Sequence, residues 1–121
     1  MYVGLSYLDV HLWFVCTAPN RDGEVVIANC TTLTDDFPDR ACILAVEDHP
    51  WLDHVSVMFY GRSRLFNAQN FPALLRSKTY QKQEDASEVL MVRIRRGAMD
   101  SEYTPEDVRQ AVLRCRWRPA S

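Results

Sequence analysis

The sequence predicts a mainly β protein with C-terminal helices, arranged as a small antiparallel β-barrel with a helical end. Three observations predict it. Short runs of aromatic and β-branched residues recur through the first half, an Asp-Gly turn joins the first two of them, and the spacing changes to a helical period after residue 85. A chain of 121 residues with 47 % hydrophobic content suits one domain with one core. We divide it into a barrel over residues 11–66, a variable segment over 67–84 and helices near 86–98 and 104–116.

The elements follow in order. Leu12 to Cys16 is an apolar run that reads as a buried strand. Asp22-Gly23 marks a hairpin turn, because both residue types tolerate positive φ, and Glu24 to Cys30 is the returning strand. Thr31 to Arg40 is a polar loop and Ala41 to Val46 a third strand. Pro50 keeps the segment Glu47 to Asp53 out of helix. In the run His54 to Tyr60, alternation puts Val55, Val57 and Phe59 on one face and Ser56, Met58 and Tyr60 on the other. Gly61 interrupts that run, and Arg62 to Phe66 resumes it past a bulge or turn. Between Phe66 and Ala86 the pattern fits either a short helix opened by Pro72 or a strand over Leu74 to Tyr80. Asp85 or Ser87 caps the first long helix. Thr104-Pro105-Glu106-Asp107 starts the second, which carries a Val108, Ala111, Val112, Cys115 stripe.

Charge is divided along the chain. Residues 1–60 hold two basic side chains against nine acidic ones, and residues 61–121 hold twelve against seven. The second half therefore offers a face for anions. Met1 to Val10 lacks the basic start and apolar run of a signal peptide, and Leu12 to Cys16 is too short to span a bilayer. The expectation is a cytoplasmic protein without membrane contact, whose four cysteines (Cys16, Cys30, Cys42, Cys115) are reduced and structural.

Three groups of residues bear chemistry. His49 and His54 lie in Asp48-His-Pro-Trp-Leu-Asp-His54, a spacing that fits no zinc signature, so no metal and no cofactor is expected and the histidines brace their loop. His11 leads into the first strand and Thr31 and Thr32 close the second, so a hairpin brings an imidazole and a hydroxyl to one rim. Arg62 and Arg64 fall on one face by strand alternation and suit phosphate. Tyr60, Phe66 and Trp117 lie near arginines in sequence, as a groove for single strands requires, and Arg93, Arg95, Arg96, Arg109, Arg114, Arg116 and Arg118 add basic residues to the helical end.

The landmarks from His11 to Phe66 resemble the MazF/PemK/Kid family of type II toxin–antitoxin modules. His11-Leu-Trp-Phe-Val-Cys16 is similar to that family's Arg-Pro-x-Val-Val strand, Glu24 to Thr32 to the next strand with its Thr-containing turn, Ala41 to Leu44 and Val55 to Phe66 to the strands that follow, and Thr104 to Cys115 to the last helix. The resemblance implies an SH3-like barrel, a homodimer, an antitoxin protein as partner and metal-independent endoribonuclease activity on single-stranded RNA. It implies catalytic roles for Thr31 and for the position held here by His11; beside these, the residues themselves offer Arg64 as a catalytic, phosphate-facing cation and Thr32, Arg62 and Tyr60 as RNA-binding groups. Two departures stand against cleavage. The family's strand-opening arginine is His11 here, and Phe59 and Gly61 replace its later Arg and Asp. The alternative is a module of the same barrel that binds RNA or protein without cutting.

Overall fold

The computed structural model describes residues 6–8 and 11–115. Its strands are β1 (Ser6–Leu8), β2 (Leu12–Val15), β3 (Glu24–Thr32), β4 (Ile43–Leu44), β5 (Ser56–Met58), β6 (Arg64–Asn67) and β7 (Gln81–Gln83), and its helices are α1 (Phe71–Arg76), α2 (Glu88–Asp100) and α3 (Glu106–Arg114).

The hairpin expected from Asp22-Gly23 is present. β2 and β3 pair antiparallel, with Trp13 opposite Asn29, Phe14 opposite Ala28 and Val15 opposite Ile27. Gly23 has φ +79°, a region that L side chains rarely adopt. The Asn20 side chain accepts from the backbone N–H of both Asp22 and Glu24 at 2.9 Å, which closes the turn.

All seven strands join one antiparallel sheet, in the order β4-β5-β3-β2-β1-β7, with β6 also on β3. Among the described residues no ladder joins the β4 end to the β7 end, so the sheet is bent but open where a closed barrel was expected. One cause is local. The Asp48 carboxylate accepts from Ala45 N–H at 2.7 Å and turns the chain into a 3-10 turn, which leaves β4 two residues long instead of the expected six. β5 and β6 flank β3 on the same side: β6 covers residues 24–27 and β5 residues 30–32. Between them the 3-10 turn Tyr60–Arg62 takes up the slack around Gly61.

The sheet buries both faces. On one, Leu12, Phe14, Val26, Ala28, Cys30 and Met58 pack under Leu90, Met91, Ile94 and Ala98 of α2 and Val108 and Val112 of α3. On the other, Tyr7, Val15, Val25 and Ile27 pack against Phe71 of α1 and Tyr80. Of the aromatic residues of the strands, Phe14 is fully buried on the first face, and Trp13 and Phe66 pack half-buried on the second. The undecided segment holds α1, with Pro72 in its first turn, followed by β7. Ser87 caps α2, its hydroxyl accepting from Leu90 N–H at 3.1 Å. α3 starts later than expected: Pro105 is its N-cap, and the buried Thr104 hydroxyl has no partner among the described residues.

Cys16, Cys30 and Cys42 are buried free thiols and Cys115 is half-buried. Burial pushes Cys16 and Cys30 up from 9.0 to about 12 and raises Tyr60 as well. The folded chain therefore keeps protons that the unfolded chain starts to release near pH 9, so stability is fully present below that pH and declines towards pH 12. The urea midpoint should fall between pH 8 and pH 10.5, and Cys16→Val should make that fall shallower. An unchanged midpoint in the wild type would contradict it.

Candidate nucleic-acid face

Odd-numbered residues of β3 share a face, and so do their partners in register. Ile27 is opposite Val15 on one side and Arg64 on the other. Asn29 is opposite Trp13, and its carbonyl accepts from Phe59 N–H at 2.8 Å. Thr31 is opposite Val57. One half of this face lies under α1. The other half displays Arg64, whose guanidinium sits 5.4 Å from the Trp13 ring centre and 5.8 Å from that of Phe66. Arg62 sits 4.8 Å over Phe59. Both arginines are exposed, while Trp13, Phe59 and Phe66 are half-buried. Cations held flat on rings suit a chain of phosphates and bases.

Beneath them lies an anomaly. Asn29 is 0 % exposed, and among the described residues neither its carboxamide oxygen nor its nitrogen has a hydrogen-bond partner. A buried polar group left in that state costs about 1–3 kcal/mol.

The expected site residues are only partly brought together. His11 is half-buried just before β2, and the β2–β3 register carried two residues past Trp13 and Asn29 sets it across from Thr31. No hydrogen bond joins the two. Arg64 is opposite Ile27, four residues from Thr31, so roughly 13 Å of strand separates the Arg64 and Thr31 backbones. Tyr60 is not an RNA-facing group. It is 0 % exposed in the helix-covered core, and its hydroxyl donates to Ile94 O at 2.6 Å, because the 3-10 turn drops it through the sheet. Thr32 points away from the Thr31 face. There its Oγ1 lies 2.8 Å from His54 Nε2, and His54 Nδ1 lies 2.5 Å from Asp53 Oδ1. With the carboxylate accepting from Nδ1, Nε2 is left to accept the threonine proton. The result is a hydroxyl–imidazole–carboxylate chain on an exposed rim.

His49, by contrast, braces its loop. Its Nδ1 accepts from Trp51 N–H at 3.1 Å, so Nε2 donates to Glu84 O at 2.8 Å. No group of three or more potential metal ligands converges among the described residues. The helix arginines are less available than expected. Arg93 pairs with Asp48 at 2.9 Å, Arg95 donates to Cys16 O at 2.6 Å, and Arg109 donates to Ser101 O at 2.8 Å. Arg116, Trp117 and Arg118 lie outside the described residues. A separate groove between residues 17–24 and α3 is lined by three acids, Asp22, Glu24 and Asp107, against one base, Arg114, a balance that disfavours a polyanion.

Sequence reasoning gave no role to Asn29, kept Trp13 and Phe59 as strand residues, and read His54 as bracing its loop. Alternation does place Trp13 on the face of Asn29 once the hairpin register is known. Nothing in the sequence pairs β6 with β3. No family model matches this chain, and no curated protein matches it by sequence. No helix among the described residues is long and apolar enough to cross a membrane.

Proposed function

We propose that the protein binds single-stranded RNA on the arginine–aromatic half of the sheet. The observation that carries this reading is that Arg62 and Arg64, the two cations expected to grip phosphate, are both exposed and each lies against an aromatic ring. In this reading the bent sheet is a diverged, open version of the SH3-like MazF/PemK barrel. Self-association or an antitoxin-like protein partner would use the exposed Ile43, Val46, Trp51 and Val55 around the β4–β5 edge.

The test is fluorescence anisotropy with a labelled mixed-sequence RNA, single-stranded and as duplex. Single-stranded RNA should bind and duplex should not, because paired bases cannot stack on Trp13 or Phe59. Arg64→Ala should weaken binding roughly tenfold at low salt and lower the slope of log K against log salt by about 0.7, the share of one phosphate contact on a single strand. A wild type that ignores RNA would end this reading.

Metal-independent RNA cleavage is the second reading, and one observation favours it: the Thr32–His54–Asp53 chain supplies a positioned proton acceptor. It reassigns the base from His11 to His54, at the rim of the sheet rather than on the aromatic face.

A further inference from the structure

The carboxamide of Asn29, without a hydrogen-bond partner among the described residues, belongs to the strand position opposite Trp13, one end of a bridge. β2 and β6 flank β3 on opposite sides, so the contact between Arg64 and Trp13 crosses over β3 in the region of Ile27 and Asn29. Strands lie about 4.8 Å apart, and only side chains reaching across the intervening strand can make that contact. Its two members are an exposed arginine, which also lies 5.8 Å from the Phe66 ring centre, and a half-buried tryptophan packed against the cluster of Tyr7 and Phe71. A phosphate that draws the guanidinium outward would bare that face of the indole and leave it to a base. The group uncovered by that movement has one free donor and one free acceptor, side by side.

We propose that Asn29 is the base-reading residue of this face, taking the edge of one unstacked nucleobase through paired N–H···acceptor and C=O···donor bonds while Trp13 stacks on its ring. The inference rests on the RNA-binding reading above and adds selectivity to it. Arginines and rings alone bind any base, whereas a carboxamide fixed by the sheet discriminates by geometry. It also accounts for an amide kept buried without a partner at a position where its strand neighbours Ile27 and Val25 are apolar.

The experiment measures affinities of the full chain for twelve-nucleotide rA, rC and rU at fixed salt, for wild type and Asn29→Leu. The wild type should prefer one homopolymer over the poorest by roughly tenfold. Asn29→Leu should bring the three within about twofold while keeping the wild-type salt slope. Its melting temperature should stay near the wild-type value, since removal of an unpaired buried amide offsets the crowding from leucine, which has the same branching but bulkier methyls. A second measurement needs no variant: the Asn29 side-chain NH₂ resonance should shift on adding the preferred homopolymer. If the wild type binds RNA and Asn29→Leu keeps its ranking of bases, or the NH₂ resonance stays in place, Asn29 reads nothing and only this inference falls. If the wild type binds none of the three, both this inference and the RNA-binding reading fall.

Discussion

Gly97→Ala should destabilise the protein by about 2 kcal/mol, although alanine is the better helix former. A Cβ at Gly97 would overlap the Tyr60 hydroxyl and stand 2.9 Å from Cys42 Cβ and 3.0 Å from Tyr60 Cζ. Helix α2 is pressed onto the sheet at this point, and Tyr60 is fully buried with its hydroxyl bonded to Ile94 O at 2.6 Å. The ring cannot retreat without disturbing that bond or the core beneath it. Overpacking of this kind costs about 3 kcal/mol, and the gain in helix propensity offsets about 1 kcal/mol of it. Tyr60→Phe alone should cost about 1 kcal/mol for the lost hydrogen bond. It also removes the atom that the new methyl strikes, so the double variant should be more stable than the two single losses predict. Urea unfolding of the four proteins checks this. A Gly97→Ala variant as stable as wild type would show that the α2–sheet contact is looser than these distances imply.

If the proposed RNA face also cuts, His54→Ala should lower the cleavage rate roughly 10²–10⁴-fold, the usual contribution of a general base. Thr32→Val, which removes the hydroxyl bonded to His54, should lower it too. Both variants should bind RNA almost as wild type does, because Thr32 lies about 10 Å along β3 from Asn29 and its side chain leaves by the other face. Arg64→Ala should show the opposite pattern, with weak binding and near-normal cleavage at saturating RNA. Activity should persist in EDTA, since no metal takes part in a proton transfer from the 2′-hydroxyl to an imidazole. The measurement is cleavage of a mixed-sequence RNA under single-turnover conditions. Intact RNA in the presence of bound wild type would leave a binding module, and His11→Ala as the only inactive histidine variant would return the base to His11.

Local chemistry was legible wherever a decision involves neighbours in sequence. The β2–β3 hairpin could be read because Asp22-Gly23 sets its turn between two strand-like runs close in sequence. Helix α2 could be read from the Ser87 cap and the spacing of Leu90 and Ile94. Strand alternation expected Arg62 and Arg64 on one side of a strand, whereas Arg62 closes the 3-10 turn and only Arg64 belongs to β6. The open sheet could not be read in this way. β4 stops after two residues because a carboxylate at Asp48 turns the backbone, and whether Asp48 bonds to Ala45 or stays in solvent depends on Arg93, which pairs with it from α2.

The site divides along the same line. Which residues carry charge, rings and hydroxyls was a property of the sequence, and so was the face each would take within its own strand. Which of them meet was decided by pairing across long separations. β6 lies against the first half of β3, bringing Arg64 over to Trp13, and the turn at Tyr60–Arg62 sends Tyr60 into the core while leaving Arg62 outside on Phe59. Thr32 meets His54 rather than His11 because β5 runs beside the end of β3 and delivers its preceding loop there. Alternation along a strand repeats every two residues and can be counted from the sequence. The partner a strand chooses depends on how two cores are filled at once, one on each side of the sheet, and only the folded chain makes that choice.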